Sequence, residues 1–391
     1  MKMQVAVFFG GRSVEHEVSV ITGMQVAAAL NRDRYDVIPI YLDKDGAMYT
    51  GPGFDTLKNY RDIPSLLENG RQVCLIRSGG RVALHSTAKK LFGGDKPVCL
   101  DVALPTVHGT FGEDGCLQGL FEMTGLPYTG CDVLSSAVCM DKPAAKALLR
   151  SAGLPVLDDL VLEADKFNKS PEVALSAMET HYPYPVMVKP ANLGSSVGIS
   201  RADNRDRLQT ALELAFTFSK RALIEPALIH MREINCAVIG DSAKARASVC
   251  EEPVMTENIL SYRDKYQSGG KDGGKQGGMS GQKRIIPAEI PAEKAEEIQK
   301  LAVKAFRLLN CAGTARIDFL WDTMRDGLYI NELNTIPGSL AFYLWEATGL
   351  TFEKMLDEMI ELAFARQRRR AQLTYSYEVN ILQNAELKGK E

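Results

Sequence analysis

The chain has 391 residues, with 46 Lys plus Arg against 49 Asp plus Glu and a formal net charge of -3. At roughly 100 to 200 residues per domain, this length predicts two or three domains. The balanced charge lacks the basic excess that binds a phosphate backbone, so nucleic acid is excluded as the main partner. No apolar run approaches the ~18 to 20 residues of a membrane helix, and the first residues lead into a strand, not a signal peptide. We expect a cytoplasmic protein without a membrane partner.

The cysteines and histidines indicate no transition-metal site. The eight cysteines are scattered without a CxxC pair, and no histidine lies near them at zinc-binding spacing. Free cysteine is among the most buried residue types, so we expect reduced thiols that act mostly as small core residues.

The N-terminal part predicts an open, parallel α/β domain. An apolar run over residues 4–9 is followed by the turn Gly10-Gly11-Arg12-Ser13 and by a helical pattern over residues 15–30. Two more apolar runs, 36–42 and 98–104, lie at the spacing of parallel crossover strands. Residues 45–97 carry Gly pairs between alternating runs, which predicts a hairpin insertion.

The middle of the chain predicts a new domain that begins near Asp141. This residue can cap a helix that has Pro143 in its first turn. Residues 185–190 form an apolar strand pattern, and the small residues 194–198 predict a hairpin turn that can cover a ligand. Residues 267–283 are rich in Gly and nearly free of apolar side chains, which is typical of a lid or a linker.

The last third predicts two paired strands between two helices. The helical patterns cover 292–309 and 352–366, and the strands 315–321 and 328–333 meet at an Asp-Gly turn. The basic run 366–370 is interpreted as a solvated helix end, with an anionic partner as the alternative.

A carboxylate stands where the first helix begins. The turn before Glu15 lacks the third glycine of the GxGxxG fingerprint, which argues against a dinucleotide-binding oxidoreductase. Glu15 would repel a pyrophosphate but could hold an ammonium group. The alternative is a simple N-terminal helix charge.

The paired strands carry a second polar group. Strand alternation places Arg316 and Asp318 on one face, and likewise Glu332 and Asn334. Two carboxylates and an amide oxygen suit Mg²⁺ bridged by nucleotide phosphates. The alternative is a set of surface cross-strand ion pairs.

Three lysines could contact phosphates, although a single lysine of this kind is more often a surface residue: Lys142, Lys189 and Lys265. The strand pattern 222–228 resembles a hinge whose backbone could bind an adenine edge, and Glu233 after it could accept ribose hydroxyls.

Seven motifs in this order resemble the D-alanine:D-alanine ligase family of the ATP-grasp superfamily, from about residue 4 to about residue 365. They are 10–19 (GGRSVEHEVS), 108–115 (HGTFGEDG), 140–142 (MDK), 189–190 with 194–198 (KP, GSSVG), 265–266 (KY), 316–318 (RID) and 331–338 (NELNTIPG). The resemblance implies an α/β protein: an N-terminal open parallel (pre-ATP-grasp) domain, then a two-subdomain ATP-grasp fold. The expected units are 1–139 (substrate domain), 140–227 (central subdomain), 228–372 (C-terminal subdomain with the magnesium site and a mobile lid, 256–284) and 373–391 (tail).

The resemblance also implies roles for these residues. It places Glu15 near the ammonium of the first D-amino acid and His108 near the same substrate, with Arg316 and the Gly338 backbone N–H at the oxyanion. It leaves the role of Glu113 open. It places Ser195 and Tyr266 in a hydrogen-bonded set with Glu15 that orders the lid. Phosphate contacts are implied for Lys142, Lys189 and Lys265, and adenosine contacts for Glu225, Leu228 and Glu233. The implied ligands of Mg²⁺ or Mn²⁺ are Asp318, Glu332 and Asn334.

The implied reaction joins two D-amino acids, and the expected product is D-Ala-D-Ala for peptidoglycan precursors. ATP converts the first carboxylate to an acyl phosphate, and the second amine then attacks it. The lid would keep water away from the acyl phosphate. The resemblance implies small-molecule D-amino acid substrates and a homodimer.

One segment departs from the family pattern. After Gly338 the family usually has a bulky residue, Thr and then a Ser that helps hold the carboxylate of the second substrate. Here Ser339 follows, Tyr343 occupies the ungapped Ser position, and Gly349 comes about four residues early. Either Ser339 substitutes in the pocket or the acceptor differs, for example D-Ser. A nucleotide-binding regulator without catalysis is the alternative from another class.

Overall fold

The computed structural model describes residues 2–88, 96–254 and 284–376, which form three β-sheets covered by helices. The strands are β1 (Met3–Gly10), β2 (Tyr35–Leu42), β3 (Met48–Thr50), β4 (Arg71–Ser78), β5 (Arg81–Ser86), β6 (Val98–Leu100), β7 (Val102–Pro105), β8 (Leu160–Glu163), β9 (Val186–Pro190), β10 (Ser200–Ala202), β11 (Arg221–Pro226), β12 (Met231–Gly240), β13 (Ala245–Pro253), β14 (Arg284–Ile285), β15 (Gly313–Asp322) and β16 (Gly327–Asn334). The α-helices are α1 (His16–Ala29), α2 (Ile63–Glu68), α3 (Cys116–Thr124), α4 (Val133–Met140), α5 (Lys142–Ser151), α6 (Ala164–Lys169), α7 (Pro171–His181), α8 (Arg205–Phe218), α9 (Ala292–Leu308), α10 (Phe342–Ala347) and α11 (Phe352–Arg370). Among them, none is long and apolar enough to cross a bilayer.

The first sheet has seven strands in the order β6-β5-β4-β3-β2-β1-β7. β1 pairs in parallel with β2 and β7, as the sequence predicts, and the remaining strands extend the sheet as antiparallel hairpins. Gly10 ends β1 with φ 87°, and a Cβ there would lie 2.2 Å from the backbone oxygen of Leu42. The strand-to-helix turn therefore requires glycine at this position.

The expectation of one strand over residues 98–104 is wrong. The chain breaks at Asp101, whose carboxylate accepts a hydrogen bond from the backbone N–H of Gln4 (2.8 Å). β6 before the break pairs with β5, whereas β7 after it pairs with β1. The apolar run is continuous in sequence, but a side-chain hydrogen bond interrupts its pairing.

The second sheet has four strands in the antiparallel order β10-β9-β11-β8. The helix predicted to begin near Asp141 is α5, and the Asp141 side chain accepts from the backbone N–H of Ala144 (3.0 Å). Gly194 and its small neighbours form the turn between β9 and β10, as expected.

The third sheet carries most of the polar residues that concern function. Its order is β14-β13-β12-β15-β16. Along β12, Ile234 and Cys236 pack with α9 residues such as Phe306 on one face. Because side chains alternate along a strand, Glu233 and Asn235 lie on the other face. One sheet thus provides both an apolar core and a polar wall.

The C-terminal helix packs against the N-terminal sheet. Met355 and Leu356 of α11 and the fully buried Trp345 share a core with Val5 and Val7 of β1. The first and last parts of the chain therefore form a common surface at which a cleft can be built.

The basic run at the end of α11 is not simply a solvated helix end. Arg366 donates to the backbone oxygen of Gly130 (2.7 Å) and lies over the ring of Tyr128. Arg369 and Arg370 pair with carboxylates elsewhere in the fold. The sequence alone predicts that these arginines face only solvent, whereas in the structure they contact other parts of the protein.

Candidate active site

A single cleft brings together residues that are widely separated in sequence. It is lined by strands of the third sheet and by loops that follow or join strands of the other two sheets. Of the residues singled out from the sequence, it contains Glu15, His108, Glu113, Lys142, Ser195, Glu233, Arg316, Glu332, Asn334 and Gly338.

Glu15 lies at the start of α1 and faces the loop between β9 and β10. It is 5% exposed, and the Ser195 hydroxyl donates a hydrogen bond to its carboxylate. A Cβ on Gly194 would lie 2.8 Å from Glu15 Oε2, so the loop approaches this closely only because residue 194 has no side chain. The interpretation of Glu15 as an ordinary surface helix charge is therefore wrong.

Glu113 bridges two loops beside the cleft. Its carboxylate accepts hydrogen bonds from the backbone N–H of Gly109 (2.8 Å) and of Ile336 (3.0 Å). Burial, reinforced by the charge of Glu15, raises the pKa of Glu113 to about 8. The sequence left this residue without a role, and the structure shows it holding the backbone two residues before Gly338.

His108 and Thr22 hold the same loop from the other side. The His108 Nε2 atom is 2.9 Å from Thr22 Oγ1, which accepts a hydrogen bond from the backbone N–H of Ser339 (3.1 Å). Burial lowers the pKa of His108 to about 4, so its ring is neutral at neutral pH. Gly338 lies between these two attachments, which position its N–H.

The register of β15 and β16 confirms the predicted polar group. Asp318 pairs with Glu332 and Arg316 with Asn334. The Arg316 guanidinium donates twice to Asp318 (2.7 Å each), and Asn334 Nδ2 donates to Asp318 (2.9 Å). Since Arg316 and Asp318 are 9% and 2% exposed, they are not surface ion pairs.

The oxygen donors of this group fit a divalent cation. Burial raises the pKa of Asp318 to about 6. The negative charges of Glu332 and Glu233 also raise this pKa, whereas the positive charge of Arg316 lowers it. A bound cation would relieve this repulsion. Within the described ranges, no three His, Cys, Asp or Glu side chains form a preassembled metal cage. Mg²⁺ in other proteins commonly shares its coordination between one or two carboxylates and substrate phosphates.

Two of the predicted lysines are buried and paired. Lys142 Nζ donates to the backbone oxygen of Leu193 (2.7 Å) and lies 3.2 Å from Glu332. Lys189 pairs with Glu225 and donates to the side chain of Asn331 (2.9 Å). The alternative that these are surface lysines is wrong.

Sequence reasoning missed Lys146, which completes a buried charge group with Lys189 and Glu225. Its Nζ lies 2.6 Å from Glu225 Oε2. Although burial alone would raise it, the ammonium groups of Lys189 and Lys146 lower the pKa of Glu225 to about 2. The sequence signal was present: Lys146 lies one helical turn after Lys142 on the same face of α5.

Asn235 and Glu251 also line the cleft and were not singled out from the sequence. They pair across β12 and β13, in the row that continues to Asp318. Polar residues that alternate with buried apolar ones along these strands were the available signal.

The other predicted residues either do not line the cleft or fall outside the described ranges. Leu228 follows β11 and is half-buried, and Ser339, the residue after Gly338, is buried. Lys265, Tyr266 and nearly all of the lid 256–284 fall outside the described residues.

The fold and cleft are those of an ATP-grasp ligase, and comparisons with known proteins identify the family. The family model for the D-ala D-ala ligase N-terminus matches residues 4–131, and that for the C-terminus matches residues 148–361. The chain belongs to the D-alanine–D-alanine ligase family.

Individual relatives match over nearly their full length. The D-alanine–D-alanine ligase of Caldicellulosiruptor bescii is 36% identical, covering 96% of this chain and 99% of the relative, and that of Thermoanaerobacter sp. is 38% identical, covering 93% and 96%. The D-alanine-D-alanine ligase structure from Coxiella burnetii has a TM-score of 0.79 at 29% identity, covering 95% and 96% of the two chains. The VanG D-Ala:D-Ser ligase structure from Enterococcus faecalis has a TM-score of 0.75 at 30% identity, covering 93% and 100%.

Proposed function

We propose that this protein joins two D-alanine molecules in an ATP-dependent reaction that supplies D-Ala-D-Ala for peptidoglycan precursors. One observation carries the proposal. A carboxylate suited to an ammonium group (Glu15), a guanidinium suited to an oxyanion (Arg316) and an ammonium suited to a phosphate (Lys142) line the same cleft. A ligase that activates one amino acid and adds another requires these three functions together.

In the first step, Glu15 binds the ammonium of the first D-alanine, and the Ser195 hydroxyl orients the Glu15 carboxylate. The carboxylate of the substrate then points toward Lys142. This ammonium stabilises the negative charge that develops as the γ-phosphoryl group of ATP is transferred. His108 contributes a neutral ring near the substrate, because burial keeps it unprotonated by lowering its pKa.

We assign Asp318, Glu332 and Asn334 to Mg²⁺ or Mn²⁺, which would neutralise the nucleotide phosphates when bound. Lys189 and Lys265 are assigned to phosphate contacts, and Glu225, Leu228 and Glu233 to adenosine. Support for Lys189 comes from its fixed position between Glu225 and Asn331.

In the second step, Arg316 and the Gly338 N–H stabilise the oxyanion that forms when the second amine attacks the acyl phosphate. Asp318 holds the guanidinium in one orientation by two hydrogen bonds, so little reorganisation is needed. Ser339 is assigned to the second substrate. The acyl phosphate must be shielded from water, and we assign this task to the lid 256–284 with Tyr266.

The proposal includes the division into units 1–139, 140–227, 228–372 and 373–391. It is supported by the break between α4 and α5 at Asp141 and by the change of sheet between β11 and β12. It also includes a cytoplasmic homodimer, as the family resemblance implies.

The test is phosphate release from ATP and Mg²⁺ with D-Ala, with the product identified by mass. We expect D-Ala-D-Ala, and no product with L-Ala. A nucleotide-binding regulator without catalysis would bind ATP but release no phosphate with any D-amino acid, which would overturn the proposal.

A ligase with a different acceptor is the second candidate. It is favoured by Ser339, Leu340 and Ala341, three consecutive residues with φ between 51° and 55°, which give the segment after Gly338 an unusual backbone. Product analysis with D-Ser and D-lactate beside D-Ala separates the two candidates.

A further inference from the structure

The hydroxyl of Tyr343 lies between Arg316 and a buried carboxylate. It donates a hydrogen bond to Glu251 Oε1 (3.1 Å), and the Arg316 side chain donates a hydrogen bond to it. A tyrosine hydroxyl has one proton to donate and can also accept, so both bonds can form at the same time. Tyr343 therefore connects the guanidinium assigned to the oxyanion with strand β13.

The proton of this hydroxyl stays on Tyr343 and points toward Glu251. Burial and the negative charge of Glu251 raise the pKa of Tyr343, so the hydroxyl is neutral and protonated at neutral pH. Because the proton is donated to the carboxylate, a lone pair of the oxygen is left for Arg316. The order of donors is thus fixed, from Arg316 to Tyr343 to Glu251.

The surroundings hold both Tyr343 and Glu251 in place. The Arg284 guanidinium lies 4.1 Å from the centre of the Tyr343 ring, and its Nε lies 3.6 Å from Glu251 Oε2. Asn235 Nδ2 donates to Glu251 Oε1 (3.3 Å). Since Glu251 is 1% exposed, water competes little for its carboxylate. The Tyr343 hydroxyl is therefore bonded to a carboxylate that its own neighbours fix.

Arg316 gains an attachment that does not depend on Asp318. Asp318 accepts two hydrogen bonds from the guanidinium, but the same carboxylate is assigned to the divalent cation. Its oxygens cannot serve a cation and Arg316 with undiminished strength, whereas the neutral Tyr343 hydroxyl has no role at the cation. A guanidinium has five N–H donors. Asp318 takes two and Tyr343 one, which leaves two for the oxyanion.

The backbone after Gly338 brings Tyr343 to this position. Residues 339–341 have φ between 51° and 55°, and α10 begins directly after them. Residues other than glycine rarely adopt this left-handed region, and such strain persists mainly where function requires a particular placement. The strained turn directs the start of α10, and with it Tyr343, to Arg316.

We propose that Tyr343 is a positioning residue for the second step, and that its hydroxyl, held by Glu251, fixes the Arg316 guanidinium at the oxyanion. Tyr343 acts through Arg316 and not on a substrate, because the described residues that line the cleft include Arg316 and Glu251 but not Tyr343. This inference rests on the proposed ligase function and concerns how its oxyanion donor is held.

Tyr343→Phe tests the inference, since it removes the hydroxyl and keeps the ring beside Arg284. Dipeptide formation is measured in the wild type, Tyr343→Phe, Arg316→Ala and the double variant. We expect Tyr343→Phe to lower kcat about tenfold, the effect of one hydrogen bond to a charged group, and to leave the KM of ATP nearly unchanged. In the Arg316→Ala background the same change should alter kcat less than about twofold, because the hydroxyl then has no guanidinium to hold.

The control is Tyr184→Phe, which removes a hydrogen bond between Tyr184 and Glu179 (2.9 Å) away from the residues that line the cleft. It should keep the wild-type kcat. If Tyr343→Phe does not fold, Glu251→Gln replaces it in the comparison with the same expected pattern, because loss of the carboxylate charge weakens the acceptor of the Tyr343 proton.

Two results would overturn the inference. One is a wild-type kcat in Tyr343→Phe, and the other is an equal loss of kcat from this change in the wild-type and Arg316→Ala backgrounds, as a general structural role would give. In both cases dipeptide is still formed, so the proposed function stands. Absence of every dipeptide from the wild-type enzyme would overturn the proposed function, and this inference with it.

Discussion

The carboxylate of Glu113 accepts a hydrogen bond from the backbone N–H of Ile336 (3.0 Å), a residue 223 positions further along the chain. The same carboxylate binds the backbone of Gly109. A loop of the N-terminal sheet and the loop after β16 are therefore held by one buried side chain. Because Gly338 follows Ile336 by two residues, the proposed oxyanion site depends on a contact between the two ends of the fold.

This contact predicts a pH effect on stability. The pKa of Glu113 is raised from 4.5 to about 8 in the folded protein, so the folded state holds this proton more tightly than the unfolded state. The contribution of Glu113 to stability therefore falls as pH rises from about 4.5 to about 8. Between pH 5 and pH 8, the urea concentration at the unfolding midpoint should fall less for Glu113→Gln than for the wild type. Equal losses would contradict the assignment.

Arg316→Ala tests the oxyanion site. Loss of one oxyanion donor should lower kcat by about 10² to 10³, whereas ATP binding measured by calorimetry should be largely kept. Arg325→Ala is the control, because this arginine is exposed at the turn between β15 and β16. Near wild-type turnover of Arg316→Ala would refute its role.

Glu15→Gln tests recognition of the first D-amino acid. Removing a charge that binds an ammonium group should raise the KM of that substrate by roughly 10- to 100-fold, with a smaller change in the KM of ATP. Glu17→Gln is the matched control on the same helix, because Glu17 is exposed and pairs with Lys44. Equal changes in both KM values for Glu15→Gln would count against the role.

Glu225→Gln tests the buried charge group. The change leaves Lys146 and Lys189 buried without their shared carboxylate, and removing one member of a buried ion pair costs about 3 to 5 kcal/mol. The exposed pair of Glu163 with Lys166 is the comparison, and Glu163→Gln should change the free energy of unfolding by less than about 1 kcal/mol. Denaturant titration measures both, and similar values would show that the group is not a structural unit.

Removing the divalent cation should stop phosphate release without unfolding the protein. Arg316 and Lys142 already compensate Asp318 and Glu332 in the structure, so the fold does not require the ion. We expect EDTA to abolish turnover, Mg²⁺ or Mn²⁺ to restore it, and the melting temperature to change little. Full turnover in EDTA would contradict the metal assignment.

Much of the fold was predictable because its signals are local. The apolar run before Gly10, the capping of α5 by Asp141 and the Asp-Gly turn between β15 and β16 depend on residues close in sequence. Strand alternation likewise suffices to place Arg316 and Asp318 on one face of β15. Where a distant partner decided the outcome, as for the break at Asp101, the prediction failed.

The sequence by itself determined the element order and the residue types of the site, because periodicity and motif spacing depend on residues that are close together in the chain. Only the tertiary structure decided which of those residues are buried together. Sequence spacing indicated that Lys146, Asn235 and Glu251 lie on polar faces. It could not reveal that Glu113 reaches Ile336, that Lys146 shares Glu225 with Lys189, or that Asn235 and Glu251 line the same cleft as Arg316. Each of these depends on sheet register and on contacts over long sequence distances, and burial then converts ordinary side chains into groups with strong electrostatic effects.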